Sequence, residues 1–512
     1  MKPQMEVALP NLMGNQVSRA SSSSRTAPSV FSRATGIFVL LSFLLAFWLA
    51  IRTYSLYRHT TRVQIDAGQM GNPIPGAFLG LSFEWGAAKP FMGIPATGVN
   101  PIFRQLVANL FENSKGRLVV RIGGNSTDLI SSNGLPDPGE LSGYARLHQD
   151  TGAGFFLSAK LGSGDPELAA TQAQFFAKTM PADSLKAIEI GNEPDQFAAK
   201  GLRPRSYSFG DYLRQFGLWQ STMQRVLPPG VKVMGPSWAG PATLDDLPSF
   251  LKAEADNLAV VSQHWYAGVA CNGNPIASDY LLAPSASASG AKIVASSVAL
   301  VHSNGLSFRI GEMNSIACNG KAGVTDTFAS ALWMVDSLFE LVNVGVDGVN
   351  IHMDTDDNYG PFLFNIDTTQ TPYRYSINTI RPEYYGMLLF QQAAPAGAKL
   401  VRANLHNPSR IKIWATIDGE DVLRITLINK DKESARRITL QASGYSTGTV
   451  SRLLAPNFEA KTGISFGGLT LDGSQDGKLV GTPRRESVAP YNGVYEVHLP
   501  PASAALLIIK RS

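Results

Sequence analysis

The sequence predicts an α/β chain in which a (β/α)8 TIM barrel is followed by a C-terminal all-β sandwich domain. Three observations carry this expectation. From about residue 75, eight short apolar runs alternate with longer segments of helical period, the pattern of strand–helix units repeated around a parallel sheet. After Gly397 the texture changes to period-two runs separated by Gly, Asp and Ser turns. The 512 residues, 44% hydrophobic and 16% charged, are enough for two packed cores and too apolar for a disordered chain.

Residues 1–35 are polar and Ser-rich, carry Lys2, Arg19, Arg25 and Arg33 against the single acid Glu6, and read as a disordered tail. Residues 36–52 follow as a targeting segment. Gly36 to Ile51 is uncharged, slightly short of the roughly 17 to 25 residues of a relaxed spanning helix. No small-x-small cleavage site follows before Arg52, which favours an uncleaved signal anchor over a removed signal peptide. Either reading carries the rest of the chain across a membrane, so the membrane is an expected partner through this segment alone.

The barrel is expected over 62–395. Its eight strands are read at Phe78–Trp85, Arg117–Gly124, Phe155–Leu161, Leu185–Glu193, Val231–Ser237, Ala259–Tyr266, Ser307–Asn314 and Val346–Asp354. Amphipathic helices are read at Pro101–Asn113, Pro166–Met180, Tyr212–Leu227, Asp326–Val342 and Arg381–Ala394. The alternating run at its start, 62–70, is a candidate strand of the β domain, which occupies 396–512. Typical strands there are Val422–Asn429 and Gly493–Leu499.

A net charge of +4 over this length, with no basic run interleaved with aromatics, argues against nucleic acid as a partner. The seven histidines and two cysteines lack close pairing on one element, so neither a catalytic metal nor another cofactor is expected. Cys271 follows the sixth strand and Cys318 the seventh, on one face of the barrel. In an oxidising compartment they can pair and brace the loop after the seventh strand; otherwise they are two buried thiols.

A (β/α)8 barrel builds its active site at the carboxyl ends of its strands. Four runs end in polar clusters: Arg121-Ile-Gly-Gly-Asn-Ser-Thr-Asp128, Ile190-Gly-Asn-Glu-Pro-Asp195, Gln263-His-Trp-Tyr266 and Ile310-Gly-Glu-Met-Asn314. Glycosidic cleavage needs two carboxyl groups, one to protonate the leaving oxygen and one to attack the anomeric carbon or activate water there. Glu193 and Glu312, ending the fourth and seventh strands, meet that need across the barrel mouth. Asn192 puts an amide beside the sugar 2-hydroxyl. A lone strand-end Glu is commonly a cap or a surface carboxylate, but two in matched settings point to a catalytic pair. With a raised pKa at Glu193 and a low one at Glu312, the pH optimum is expected to be acidic to near neutral.

These motifs resemble the clan A barrel glycosidases, whose acid/base follows strand four in an Asn-Glu pair and whose nucleophile follows strand seven. More closely, the chain resembles glycoside hydrolase family 79, which holds β-glucuronidases and heparanases, from about residue 62 onward. The resemblance implies retaining hydrolysis with Glu193 as acid/base and Glu312 as nucleophile, and carbohydrate bearing glucuronic acid as partner. It also implies that the sugar carboxylate is held by backbone donors at Asn319 and Gly320 near Tyr266 and Tyr359, and that Glu84, Asn125, Asp128 and His352 line the sugar site. The loop Cys318-Asn-Gly-Lys321 is poorer in glycine than in heparanase-like proteins, and His352 replaces an amide. These departures favour exo-cleavage of a terminal β-glucuronosyl unit over endo-cleavage of long sulfated chains. The rival readings are an arabinofuranosidase, a β-xylosidase, or a membrane-anchored carbohydrate-binding protein without catalysis.

Overall fold

The computed structural model of the chain describes residues 60–112, 114–129, 136–406 and 410–511. The segment 36–52, where an anchor or signal is expected, lies outside the described residues, as does the tail before it. Among the described residues no helix is long and apolar enough to cross a membrane.

Eight parallel strands close a barrel. In chain order they are Leu79–Glu84, Val119–Gly123, Gly154–Ala159, Leu185–Ile190, Val233–Trp238, Leu258–Val269, Ser307–Ala317 and Gly348–Met353. Closure is made where Leu79 to Phe83 pair with Val349 to Met353. Each strand is one of the apolar runs read from sequence, because a strand buried on both faces has no polar side to show.

Each strand is followed by an α-helix: Pro101–Phe111, Pro138–Thr151, Pro166–Thr179, Phe209–Gln224, Leu247–Glu254, Pro284–Ser303, Phe328–Asn343 and Pro382–Ala393. Their starts are written locally. Asn100 accepts from the backbone N–H groups of Ile102 and Phe103, Asp165 from those of Glu167 and Leu168, and Ser208 forms a reciprocal capping box with Asp211. The helices after the second, fifth and sixth strands were not read from sequence. Pro138–Thr151 is largely polar, Leu247–Glu254 has two turns, and Pro284–Ser303 is an Ala/Ser stretch with little contrast between faces.

The β domain forms from the C-terminal strands and one strand contributed from ahead of the barrel. Thr60–Pro73 pairs antiparallel with Lys399–His406 and parallel with Arg436–Gln441. It therefore joins two parts of a single twelve-stranded sheet rather than one of two separate sheets. That sheet wraps on itself. Val63, Ile425, Leu440, Val497 and Leu507, from well-separated strands, share one core as the inner faces of a sandwich do.

The β domain is fastened to the barrel by a buried polar cluster. Lys430 Nζ donates to Asp336 Oδ2 at 2.5 Å and to Ser287 Oγ at 2.7 Å, and Trp414 Nε1 donates to Asp336 Oδ1 at 2.9 Å. The Trp414 ring stacks on Phe339 at 5.6 Å. Asp336 and Phe339 lie on the helix that follows the seventh strand, so the β domain buttresses the element behind Glu312.

Candidate active site

Glu312 stands within the long seventh strand, in register with His264 on the sixth. The ladder slips at Gly311, whose place is fixed by crowding: a Cβ there would lie 2.2 Å from Ser262 Oγ. The slip aims the next side chain into the barrel mouth. Glu193 lies beyond the end of the fourth strand with φ 53° and ψ 55°, a left-handed conformation that is strained for a residue with a side chain. Its backbone N–H donates to Ser237 O at 3.1 Å. One atom each from Glu193, His264 and Glu312 lie within 4.8 Å of one another.

Arg121, fully buried on the second strand, organises the floor. Its Nε donates to both oxygens of Glu189 at 3.1 and 2.8 Å, its Nη1 to Glu312 Oε2 at 2.8 Å, and its Nη2 to Asn192 Oδ1 at 2.7 Å. One guanidinium thus fixes one catalytic candidate directly and the residue preceding the other. With the Asn192 carbonyl taken, only its NH2 is left to donate. Burial alone lowers the Arg121 pKa, but the Glu189 and Glu312 carboxylates outweigh it and hold the cation firmly protonated.

Glu312 Oε1 accepts from Tyr266 Oη at 2.8 Å, and His352 Nδ1 lies 3.8 Å from Oε2. Burial works to raise the Glu312 pKa. The positive ends of His352, His264 and Arg121, with the Tyr266 hydrogen bond, overcome it and hold the carboxyl well below the usual range. This agrees with the expectation for that residue.

Glu193 departs from expectation. Its Oε1 is 3.1 Å from His264 Nδ1 and its Oε2 accepts from Lys200 Nζ at 2.9 Å. Burial and the Glu312 charge push its pKa up, but His264 and Lys200 win and the pKa is lowered, not raised. The sequence reading allowed for burial and omitted His264 and Lys200. Three close donor atoms also suit a metal ion in principle. Arg121 and Lys200, aimed at the same carboxylates, disfavour a dication there.

The loop after the seventh strand is held from two sides. The Cys271–Cys318 disulfide ties it to the loop after the sixth, with Cα atoms 5.5 Å apart. Asn358, after the eighth strand, donates through its N and Nδ2 to Asn319 O at 2.8 and 3.2 Å. Cys318, Asn319 and Gly320 have φ of 66°, 62° and 74°. A Cβ at Gly320 would lie 2.7 Å from Thr325 Oγ1 and 3.1 Å from Tyr359 Cδ1, so only glycine fits against that ring. Among the described residues, the backbone N–H groups of Asn319 and Gly320 have no hydrogen-bond partner. The buried Tyr359 ring packs 6.2 Å from Tyr266 and 6.3 Å from His352.

Known proteins share sequence with this chain. The family model "Glycosyl hydrolase family 79 C-terminal beta domain" matches residues 413–506. A β-glucuronidase of Aspergillus niger is 25% identical over 504 residues, covering 85% of this chain and 91% of that protein. One of Neurospora crassa is 24% identical over 500 residues, covering 82% and 89%. Residues 413–506 thus match the C-terminal β domain of glycoside hydrolase family 79, and the chain is a glycoside hydrolase similar over most of its length to β-glucuronidases.

The barrel with its β domain is also the fold of a 4-O-α-L-rhamnosyl-β-D-glucuronidase from Fusarium oxysporum 12S (TM-score 0.68, 19% identity, 88% of this chain and 99% of that one). A family 51 arabinofuranosidase from Xanthomonas axonopodis pv. citri shares it (TM-score 0.66, 14% identity, 88% and 100%). Enzymes named for different sugars share this fold, so fold alone does not select the sugar.

Three residues expected to line the sugar site are engaged elsewhere. Asp128 Oδ1 accepts from the N–H groups of Leu161 and Gly162, and its Oδ2 accepts from the Asn192 N–H at 2.7 Å. It supports Asn192 from behind. Glu84 accepts from the N–H groups of Asn125 and Ser126, tying down the short helix Asn125–Leu129. Asn125 itself is exposed and receives Lys200 Nζ at 2.6 Å. His352 stays inside the cluster, 4.0 Å from Glu84 and bonded to Ser82 Oγ at 3.2 Å.

Sequence reasoning left out Lys200, His264 and Glu189 as members of the site. Position at a strand end was a usable signal for His264, two residues before Tyr266. Lys200 lies in a turn with no periodic or motif signal.

Proposed function

We propose that this glycoside hydrolase is a retaining exo-β-glucuronidase, with Glu312 as nucleophile and Glu193 as acid/base. The observation that carries the reading is the facing pair itself: carboxylates from strands four and seven with oxygen atoms within 4.8 Å, one ionised by Arg121 and Tyr266. Inverting enzymes need roughly 6.5–9.5 Å between the carboxyl groups to admit a water, whereas retaining ones use about 5–5.5 Å.

In the first step Glu312 Oε attacks the anomeric carbon, the glycosidic C–O bond breaks, and Glu193 passes its proton to the leaving oxygen. In the second, water attacks the same carbon, Glu193 takes a proton from that water, and the Glu312 ester bond breaks to release the sugar. The Glu312 charge raises the Glu193 pKa. Its loss on esterification lowers that pKa when a base is required. The Asn192 NH2 is positioned by Arg121 and Asp128 to meet the 2-hydroxyl.

Glucuronate as the glycone is supported by the β-glucuronidase relatives and by the unpaired N–H groups at Asn319 and Gly320 beside Tyr359 and Tyr266. Fixed backbone donors suit a carboxylate because they need no side-chain ordering. The disulfide supports an extracytoplasmic setting, and the apolar segment 36–52 supports delivery there as a signal anchor.

The test is hydrolysis of p-nitrophenyl β-D-glucuronide, β-D-glucoside, β-D-xyloside and α-L-arabinofuranoside, with Glu312→Gln as blank. Glucuronide cleavage that vanishes in the blank is expected. Cleavage of a neutral glycoside alone overturns the uronate assignment, and silence on all four favours an endo-acting enzyme or a binding protein.

A further inference from the structure

Each oxygen of Glu193 already faces a nitrogen of a neighbouring side chain. Oε1 faces His264 Nδ1 at 3.1 Å and Oε2 accepts from Lys200 Nζ at 2.9 Å. A general acid must bring a protonated oxygen within about 2.6–3.2 Å of the oxygen it protonates. A carboxylate oxygen can accept more than one hydrogen bond, but protonation of Glu193 weakens its charge-assisted contact with Lys200, so that contact is the one open to displacement. The His264 side chain is 1% exposed, on a strand hydrogen-bonded on both sides. Lys200 is 23% exposed, in the turn after the short helical segment Pro194–Gln196. Its Nζ already has a second acceptor, Asn125 Oδ1, at 2.6 Å.

We infer that Lys200 is a gate on the acid/base: it pairs with Glu193 in the free enzyme and withdraws toward Asn125 and solvent when a leaving group docks, so that Glu193 takes up its proton only with substrate present. This rests on the assignment of Glu193 made above. Lys200 is a positioning residue, acting through Glu193 and not on the sugar. A partly exposed ion pair is weak enough for leaving-group contacts to displace.

The charged and titratable groups facing Glu193 are Lys200 from its own turn, His264 from the sixth strand and Glu312 from the seventh. Arg121, Tyr266 and His352 bear on it through Glu312. His264 and Lys200 are the groups that favour the ionised form, and of the two only Lys200 reaches solvent appreciably. Protons balance over the cycle. Glu193 gains one from solvent as Lys200 leaves, gives it to the leaving oxygen, regains one from the attacking water, and releases it when Lys200 returns after product departure.

The test uses the full chain and phenyl β-D-glucuronide, whose leaving group needs a proton. The pH dependence of kcat/KM reports the free enzyme and that of kcat the bound complex. The alkaline limb of kcat/KM is expected about one pH unit below that of kcat. Lys200→Met is expected to raise the kcat/KM limb to meet the kcat limb, and Lys200→Arg to keep them apart. Coincident limbs in the unsubstituted enzyme overturn the gate without any variant having to fold, and so does an unmoved kcat/KM limb in Lys200→Met. Failure of the underlying assignment has a different signature: Glu193→Gln then leaves the alkaline limb in place, whereas failure of the gate alone leaves that limb dependent on Glu193.

Discussion

The two carboxylates are presented in opposite ways. Glu312 sits inside a continuous strand, hydrogen-bonded to neighbours on both sides, with a guanidinium on one oxygen and a phenol on the other. Glu193 sits past the end of its strand in a left-handed conformation, partly exposed, with a partly exposed lysine on one oxygen. A nucleophile works from one charge state and one position, and burial with fixed partners supplies both. An acid/base changes proton state twice per turnover, which requires a corner that solvent and substrate reach. The chemistry each residue is proposed to perform is written into how its backbone leaves the sheet.

The contrast is broken most severely at Glu312, the proposed nucleophile. Glu312→Gln keeps the shape and removes the attacking charge, and a loss in kcat of at least about 10⁴-fold is expected for phenyl and p-nitrophenyl glucuronides alike. Glu193→Gln is expected to cost about 10²- to 10⁴-fold on the phenyl substrate and far less in the first step on the p-nitrophenyl one, whose leaving group departs unprotonated. Burst kinetics separate the steps. Equal losses on both substrates erase the proposed division of labour.

Arg121→Met tests the shared floor. It leaves Glu189 and Glu312 buried without their cation, and removing one partner of a buried pair typically costs about 3–5 kcal/mol. Chemical unfolding at pH 7 measures it. The difference shrinks on acidification. The Glu312 pKa lies below its ordinary 4.5, so the pair's stabilisation is present above that value and fades as pH falls toward the folded pKa. Variant and parent therefore converge in stability at low pH.

The smallest expected effect sharpens the comparison. Tyr266→Phe removes one hydrogen bond to the ionised nucleophile, for about a tenfold loss in kcat. The Glu312 pKa rises, so the acid limb moves to higher pH while the alkaline limb, set by Glu193, stays. Movement of both limbs shows that the two groups titrate as one unit.

The sequence by itself determined the eight barrel strands, the β domain after them and the two glutamates, because each is a local signal: an apolar run, a change of period, a polar motif closing a strand. Weak faces hid three helices, since Ala/Ser stretches such as Pro284–Ser303 are amphipathic only against a particular neighbour. The tertiary structure alone decided what surrounds the motifs. Arg121 reaches Glu189, Asn192 and Glu312 from different strands, Asp128 spends both oxygens on backbone N–H groups, and Lys200 folds back onto Glu193 from a turn without a motif. Local patterns fix which residues end a strand, but a pKa depends on which charges lie within a few ångströms. That is why the sequence put Glu193 at the end of a barrel strand and gave its pKa the wrong direction.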